Sequence, residues 1–426
     1  MPHRTFPRAT LLAGFLMAAA AAALLPSQAA AEENWPEFRG PRGDGHARDA
    51  RLPLTWSETE NVTWKTAIHD KGWSSPVIWG DQIWMTTATP EGHEMFAICV
   101  DRASGKIVHD IKLWHVEKPA WMPDFNSYAS CTPAIEAGRV YVHFGSYGTA
   151  CLDTATGKIL WQRRDLPCNH HRGPASSPIL YGDLVILTFD GFDLQYLVGL
   201  DKHTGETIWK TDRNLKYNSD NGDIKKAFST PTVFSINGRD LLISPSASAT
   251  VAYDPRTGQE IWRVYSGGMN AAARPLFGNG LIYANSAASG FGTFAIRPDG
   301  EGDVTGTHLA WKFGRTSPKR PSQLLVDSLL FMVNDDGIAA CVDAREGNLI
   351  WTHRLGGKYS ASPLYNQGRI YFFDEDGETR VIEAAGEVKL LATNKLDSGC
   401  MASPAVAGDA LFVRTKTHLY RIETKP

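Results

Sequence analysis

From about Trp56 to Glu423 the chain alternates apolar and polar residues in short runs, separated by Gly, Asp, Asn and Pro. Period-two alternation marks strands with one covered face, and the separators are residues that turn a chain sharply. Two motifs recur within the pattern. The first is a Ser or Thr beside a Pro, then apolar residues, a Gly or Asp turn and an apolar strand, as in residues 75–84 and 362–371. The second is a strand ending in Asp, with Gly four residues on and Trp four beyond that. It reads Asp153/Gly157/Trp161, Asp201/Gly205/Trp209, Asp254/Gly258/Trp262 and Asp343/Gly347/Trp351, and Asp101/Gly105 repeats it with His109 in the tryptophan slot.

Each residue type has a physical reason to be there. Asp opens a tight turn by bonding its own backbone, and Gly supplies the positive φ that closes it. Trp then stands on an outer strand, where its broad ring can cover the gap to a neighbouring sheet. The first motif is anchored at Pro76, Pro133, Pro178, Pro231, Pro275, Gln323, Pro363 and Pro404, in steps of 57, 45, 53, 44, 48, 40 and 41 residues. A four-stranded propeller blade takes roughly 40–50 residues. Eight anchors therefore predict an all-β, single eight-bladed β-propeller of four-stranded antiparallel blades. The fifth and seventh blades are degenerate, and the eighth stops one strand short after Leu419–Ile422. Asn61–Lys65, upstream of the first anchor, is the surplus strand, and a ring closed by it leaves no open sheet edge.

At these residues the chain resembles the PQQ-like, quinoprotein alcohol dehydrogenase-like propeller repeat superfamily, over about Trp56 to Glu423. That superfamily includes dehydrogenases that bind PQQ with calcium on the propeller axis. It also includes a non-enzymatic, BamB-like propeller, normally lipid-anchored, that serves outer-membrane β-barrel assembly. The resemblance implies the fold and leaves the activity open. The adjacent Cys-Cys pair common in the enzymes is missing, as is any Cys-x-x-Cys-His haem site. No calcium-binding set can be carried over residue by residue. The expectation is therefore no cofactor, with PQQ and calcium both disfavoured.

The N-terminus changes the picture of where this ring works. Arg4 and Arg8 precede an apolar run from Leu11 to Leu25 and a small-residue stretch ending at Ala31. That is the order of an export signal, so 1–31 reads as signal peptide, 32–55 as an N-terminal extension and 56–426 as the propeller. No cysteine lies near the cleavage region, so the protein is expected in the periplasm or secreted, without a lipid anchor or a membrane span. The leader carries two of the 43 basic residues and none of the 46 acidic ones, leaving the remainder formally at −5. Such a balance, without basic runs, argues against nucleic acid as a partner. Cys99, Cys151 and Cys341 each stand two residues before a repeat Asp and read as buried thiols. Among Cys131, Cys168 and Cys400, which lie in connections, Cys131–Cys168 is the pair to consider for a bridge.

Candidate chemistry follows from the two ends of the ring. The Gly-Asp and Asp-to-Gly turns are tight and alike, and belong on one face. Connections leading into the anchors, and those between second and third strands, vary and belong on the other, where function usually resides. The candidates for ligand binding at that mouth are Trp73, Asn126, Tyr128, His170, His171, Arg172, Arg274 and Arg320. They are joined by Asp190, Asp193 and Gln195, whose loop could bring two carboxylates near His170-His171-Arg172. A satisfied loop is the bland alternative: adjacent histidines point apart, and an Asp pair often only stabilises a turn. Asp374–Gly377 and Asn334–Gly337 look faintly like calcium loops but read as plain hairpins. The leading expectation is a monomeric binding or scaffolding module for a protein or extracellular polymer. The alternative is an enzyme at the channel mouth, either a divergent quinoprotein or one using His and Asp.

Overall fold

The computed structural model describes residues 1–3, 5 and 33–424; the expected signal peptide lies, apart from those first few residues, outside them. Eight four-stranded antiparallel meanders stand around one axis; the fourth carries an added parallel strand, Gly302–Asp303, and the eighth is completed by a strand from the N-terminal side. Blade 1 runs Val77–Trp79, Gln82–Ala88, Glu94–Asp101 and Ile107–His115 from the axis outward. The inner strands of blades 2–7 begin at Ala134, Ile179, Thr232, Leu276, Leu324 and Leu364. Blade 8 supplies three strands, Ala405–Ala407, Ala410–Arg414 and His418–Ile422, and receives its outer strand from Val62–Ala67. The closing register pairs Lys65 with Tyr420 and Thr66 with Leu419, so the ring has no open edge at the junction.

The repeat residues explain the contacts between blades. Trp161 Nε1 donates to Lys202 O of the next blade at 2.9 Å, and its ring covers Gly205, where a Cβ would come within 2.6 Å. Trp64, Trp262, Trp311 and Trp351 make the same kind of bond to Arg102, Pro298, Ala344 and Ala385. The turn glycine thus serves both its positive φ and the flat ring resting on it. In blade 1 the slot holds His109, which stacks on Trp84 at 5.5 Å. Asp374 and Asn334 take the hairpin role: each side chain accepts from two backbone amides of its own turn.

A second ring of bonds holds the blades near the axis. The residue before each anchor is Ser75, Thr132, Ser177, Thr230, Arg274, Ser322, Ser362 or Ser403. The backbone N–H at seven of these positions donates to the hydroxyl of the following blade, at 2.9–3.1 Å. The missing link is at blade 5, where Arg274 replaces the hydroxyl.

The N-terminal extension lies across the tight-turn end of the channel. Trp35 exchanges backbone bonds with Ile78 of blade 1, and Ile135 of blade 2 donates to Pro36 O. Arg39, almost fully buried, donates to Gln323 O of blade 6 at 2.7 Å. Gly45 and Ala47 bond Tyr365 of blade 7, whose neighbour Asn366 donates to Ala47 O and Ala50 O. The strap therefore ties together blades on opposite sides of the axis. Gly43 and Gly45, both with positive φ, permit this, since a Cβ at either would strike the Arg274 or Arg39 guanidinium.

All six cysteines are free and buried, so the considered Cys131–Cys168 bridge is not formed. Cys168 Sγ instead faces His170 Nδ1 at 3.8 Å and Leu194 O at 3.9 Å. Burial pushes both thiols up to about 12, against the pull of nearby Lys226.

Candidate functional site: the variable mouth

The longest step between anchors, from Pro76 to Pro133, contains a connection that covers the variable mouth. Residues 116–126 leave blade 1, and Tyr128 Oη anchors them by donating to Ala120 O at 2.8 Å. Trp73 Nε1 donates to Phe125 O at 3.0 Å, and Asn126 Nδ2 donates to Arg172 O of blade 3 at 2.6 Å. Trp121 lies 5.3 Å from the ring of His171, while Arg320 of blade 6 sits over Phe125 at 5.9 Å. The loop thus reaches from blade 1 to the lead-ins of blades 3 and 6. Trp121 is 62% exposed and Phe125 54% exposed, and both stand at the solvent surface of this loop.

The rim is charged and internally paired. Arg172, in the left-handed region at φ 74, makes a bidentate pair with Asp223 at 2.6 and 2.7 Å. Arg320 donates to Asp335 at 2.6 Å and forms an ion pair with Glu375 at 2.9 Å, bridging the loops of blades 6 and 7. His171 lies between Trp121 and Phe192, at 5.3 Å from each ring.

Beneath the surface the other candidates separate. His170 is buried; its Nδ1 lies 3.4 Å from Lys226 Nζ, and its Nε2 has no hydrogen-bond partner. Burial first, then Lys226, holds its imidazole well below the usual range, so it is neutral. Lys226 is fully buried too, and desolvation lowers its ammonium from the ordinary value. Asp190 forms a buried bidentate pair with Arg213 at 2.6 and 2.9 Å, and Arg213 reaches on to Ser244. Asp193 accepts from the amides of Asn169 and Leu194, both at 2.8 Å, and Gln195 Nε2 donates to Gly191 O.

Two placements differ from the expectation. Asp190 and Asp193 do not converge with His170, His171 and Arg172 into one polar cluster, because each carboxylate is already held by Arg213 or by backbone amides. Arg274 is turned toward the tight-turn end, where it bonds Thr232, Phe38 O and Glu37. Trp73, Asn126, Tyr128, His171, Arg172 and Arg320 do come together, around the crossing loop. Sequence reasoning missed Trp121 and Phe125, although the 57-residue step around two aromatics among prolines was a usable signal.

The comparisons bear on what such a mouth is. The family described as outer membrane protein assembly factor BamB matches residues 113–244 and 195–425. The BamB of Shewanella oneidensis is 23% identical over 308 residues, covering 67% of this chain and 72% of that protein. Methanol dehydrogenase [cytochrome c] subunit 1 of Methylobacterium organophilum is 29% identical over 198 residues, covering 42% of this chain. The chain spans only 30% of that dehydrogenase's length. Among solved structures, BamB from Moraxella catarrhalis superposes with a TM-score of 0.61 at 14% identity, covering 85% of this chain and 97% of that one. Quinohemoprotein alcohol dehydrogenase from Comamonas testosteroni gives 0.64 at 13% identity, covering 92% and 81%. With its eight blades, repeat spacing and matched residues taken together, the chain belongs to the family of the outer membrane protein assembly factor BamB, within the PQQ-like propellers.

Proposed function

We propose that this protein is an exported, monomeric scaffold that docks another protein on the variable mouth, with Trp121 and Phe125 as anchors. The observation that carries the reading is the crossing loop, which holds two large aromatic side chains in solvent. Exposed aromatics inside a charged rim are the composition of protein-binding hot spots. His171 and Trp73 extend the apolar centre, while Arg172 and Arg320, fixed by their carboxylates, supply a pre-ordered rim. Membership of an assembly-factor family supports a protein partner, and the basic-then-apolar leader supports export to the periplasm. Among the described residues no helix is long and apolar enough to cross a membrane.

Photo-crosslinking in the source cell tests this directly. A photoreactive residue at position 121 or 125 should give a discrete protein adduct, and one at Thr156 on the tight-turn face should not. Adducts only from position 156, or none from 121 and 125, would sink the proposal.

The dehydrogenase relatives keep a second reading in view, a quinone enzyme at the axis. Two observations weigh against that group here. The cysteines are dispersed, and among the described residues no three His, Cys, Asp or Glu side chains gather to hold a metal. We infer that the protein works without PQQ or calcium. Calcium-dependent PQQ binding with dye-linked alcohol oxidation would overturn this.

A further inference from the structure

Off the axis on the variable face, the loops of blades 3, 4 and 5 enclose a cleft of about 610 Å³. That volume suits a small ligand. Three separate segments build it, each a departure from the regular repeat. The connection after blade 3 contributes Lys216 and Tyr217. The ribbon Gly267–Met269, paired with Ala288–Gly290, forms a second wall. Asp303 comes from the extra strand Gly302–Asp303, which runs parallel to the outer strand of blade 4. The irregular part of blade 5, residues 297–308, thus supplies one wall of the cleft through Asp303.

The lining backbone is held in conformations that side chains avoid. Ser248 and Ser289 have φ of 69 and 64, and Asn218, Gly267 and Gly268 are also left-handed. Non-glycine residues are uncommon in this region and gather at ligand sites. Gly267 has open space on its Cβ side, with only backbone at 3.7 Å, so a ligand can approach the main chain there.

The chemistry is mixed in a specific way. Tyr217 and Tyr265 bring flat apolar rings, and Tyr265 is pinned because its hydroxyl accepts from Arg263 Nη1 at 3.2 Å and from Lys216 N at 3.4 Å. Asp303 accepts from Thr305 through one oxygen, at 2.6 and 3.1 Å, and is ionised. A wholly apolar ligand would strip water from Asp303 and Lys216 without replacing its hydrogen bonds. A strong anion meets Asp303, and a strong cation meets Lys216 and Lys225, whose ammonium lies 5.9 Å from the Tyr217 ring. A ring that is apolar on its faces and hydroxylated at its edges satisfies every wall.

We propose that this cleft binds a neutral saccharide, its ring faces on Tyr217 and Tyr265 and its hydroxyls on Asp303, Lys216 and Ser248. Neither Trp121 nor Phe125 lines the cleft, and the proposal does not depend on the protein-docking reading.

The test titrates the protein with cellotetraose, chitotetraose, maltotetraose and, as the charged comparison, tetragalacturonate. Calorimetry and saturation-transfer NMR are the readouts. At least one neutral sugar should bind with a Kd between roughly 10 μM and 1 mM. Tyr217→Ala and Asp303→Asn should each weaken it about tenfold or more, and Trp121→Ala should leave it unchanged. Asp303→Asn alters only an exposed side chain, so the test stands even if Tyr217→Ala unfolds. Absence of binding by all three neutral sugars at about 10 mM, tighter binding of tetragalacturonate, or affinity unaffected by Asp303→Asn would each overturn the proposal.

Discussion

Arg274 Nη2 donates to Glu37 Oε1 at 2.7 Å, joining residues 237 positions apart and closing the N-terminal strap onto blade 5. The pair sits where the inner belt of hydroxyls is broken: Arg274 gives up the Ser or Thr of the other seven blades, and its guanidinium holds the strap instead. One substitution in the repeat thus converts a blade-to-blade link into a link across the channel.

Removing the carboxylate should show what that link contributes. Glu37→Ala leaves a buried guanidinium with Thr232 and Phe38 O but no counter-charge, and should cost about 3 kcal/mol. Urea unfolding measures it, and limited proteolysis should reveal faster cutting between residues 33 and 50. Unchanged stability and unchanged protection would show the strap to be held elsewhere.

Deleting the strap and deleting the closing strand should differ in kind. Without residues 33–56 the ring keeps its eighth outer strand and should still unfold cooperatively at a lower temperature. Loss of 33–67 also removes Val62–Ala67, exposing the His418–Ile422 edge and the space under Trp64. That form should aggregate or lose its cooperative transition, as size-exclusion chromatography and calorimetry would register. Equal behaviour of the two deletions would contradict closure by this strand.

The tryptophans of the repeat should behave as structural clamps. Trp262 is fully buried, so Trp262→Ala should cost about 3–5 kcal/mol. Trp161→Ala and Trp209→Ala should fall close behind, and Trp351→Ala, whose ring is only half-buried, should cost least. Protein docking at Trp121 should survive all four. A variant that kept its stability but lost a ligand would make its tryptophan a recognition residue.

Two buried histidines predict how stability depends on pH. Burial holds His143 down to about 3, where its Nδ1 bonds Thr149 Oγ1 and Phe189 packs edge-on. His170, beside Lys226 and Cys168, is held well below its usual value by burial and then by Lys226. In the unfolded chain both would titrate near 6.5, so the unfolded state binds more protons below that pH. Their contribution is complete above about pH 6.5 and lost as pH falls, at about 1.4 kcal/mol per unit for each residue. Chemical denaturation at stepped pH should show this slope, and His143→Gln should reduce it. A profile flat between pH 6.5 and 5 would refute neutral burial.

What the sequence by itself determined is the local and repeating part of this protein. Period-two alternation, the Asp-to-Gly turn and the outer-strand Trp act over a few residues, so each blade could be read from its own segment. The missing strand at the C-terminus and the surplus one at Asn61–Lys65 were likewise legible, because a sheet edge must be paired. Tertiary structure alone decided the partners of the charged side chains and the course of the irregular segments. Asp190 could have faced His170 by spacing, but Arg213 lies within reach just past the outer strand of the same blade, and a buried carboxylate takes the strongest donor available. Arg274 looked like a mouth residue by its place before an anchor, yet ring closure brought Glu37 to the other side of it. Trp121 and Phe125 carry no periodic signal, and only the folded ring shows that their loop spans the mouth. Pairings of this kind depend on distances through space between segments far apart in the chain, which no local pattern encodes.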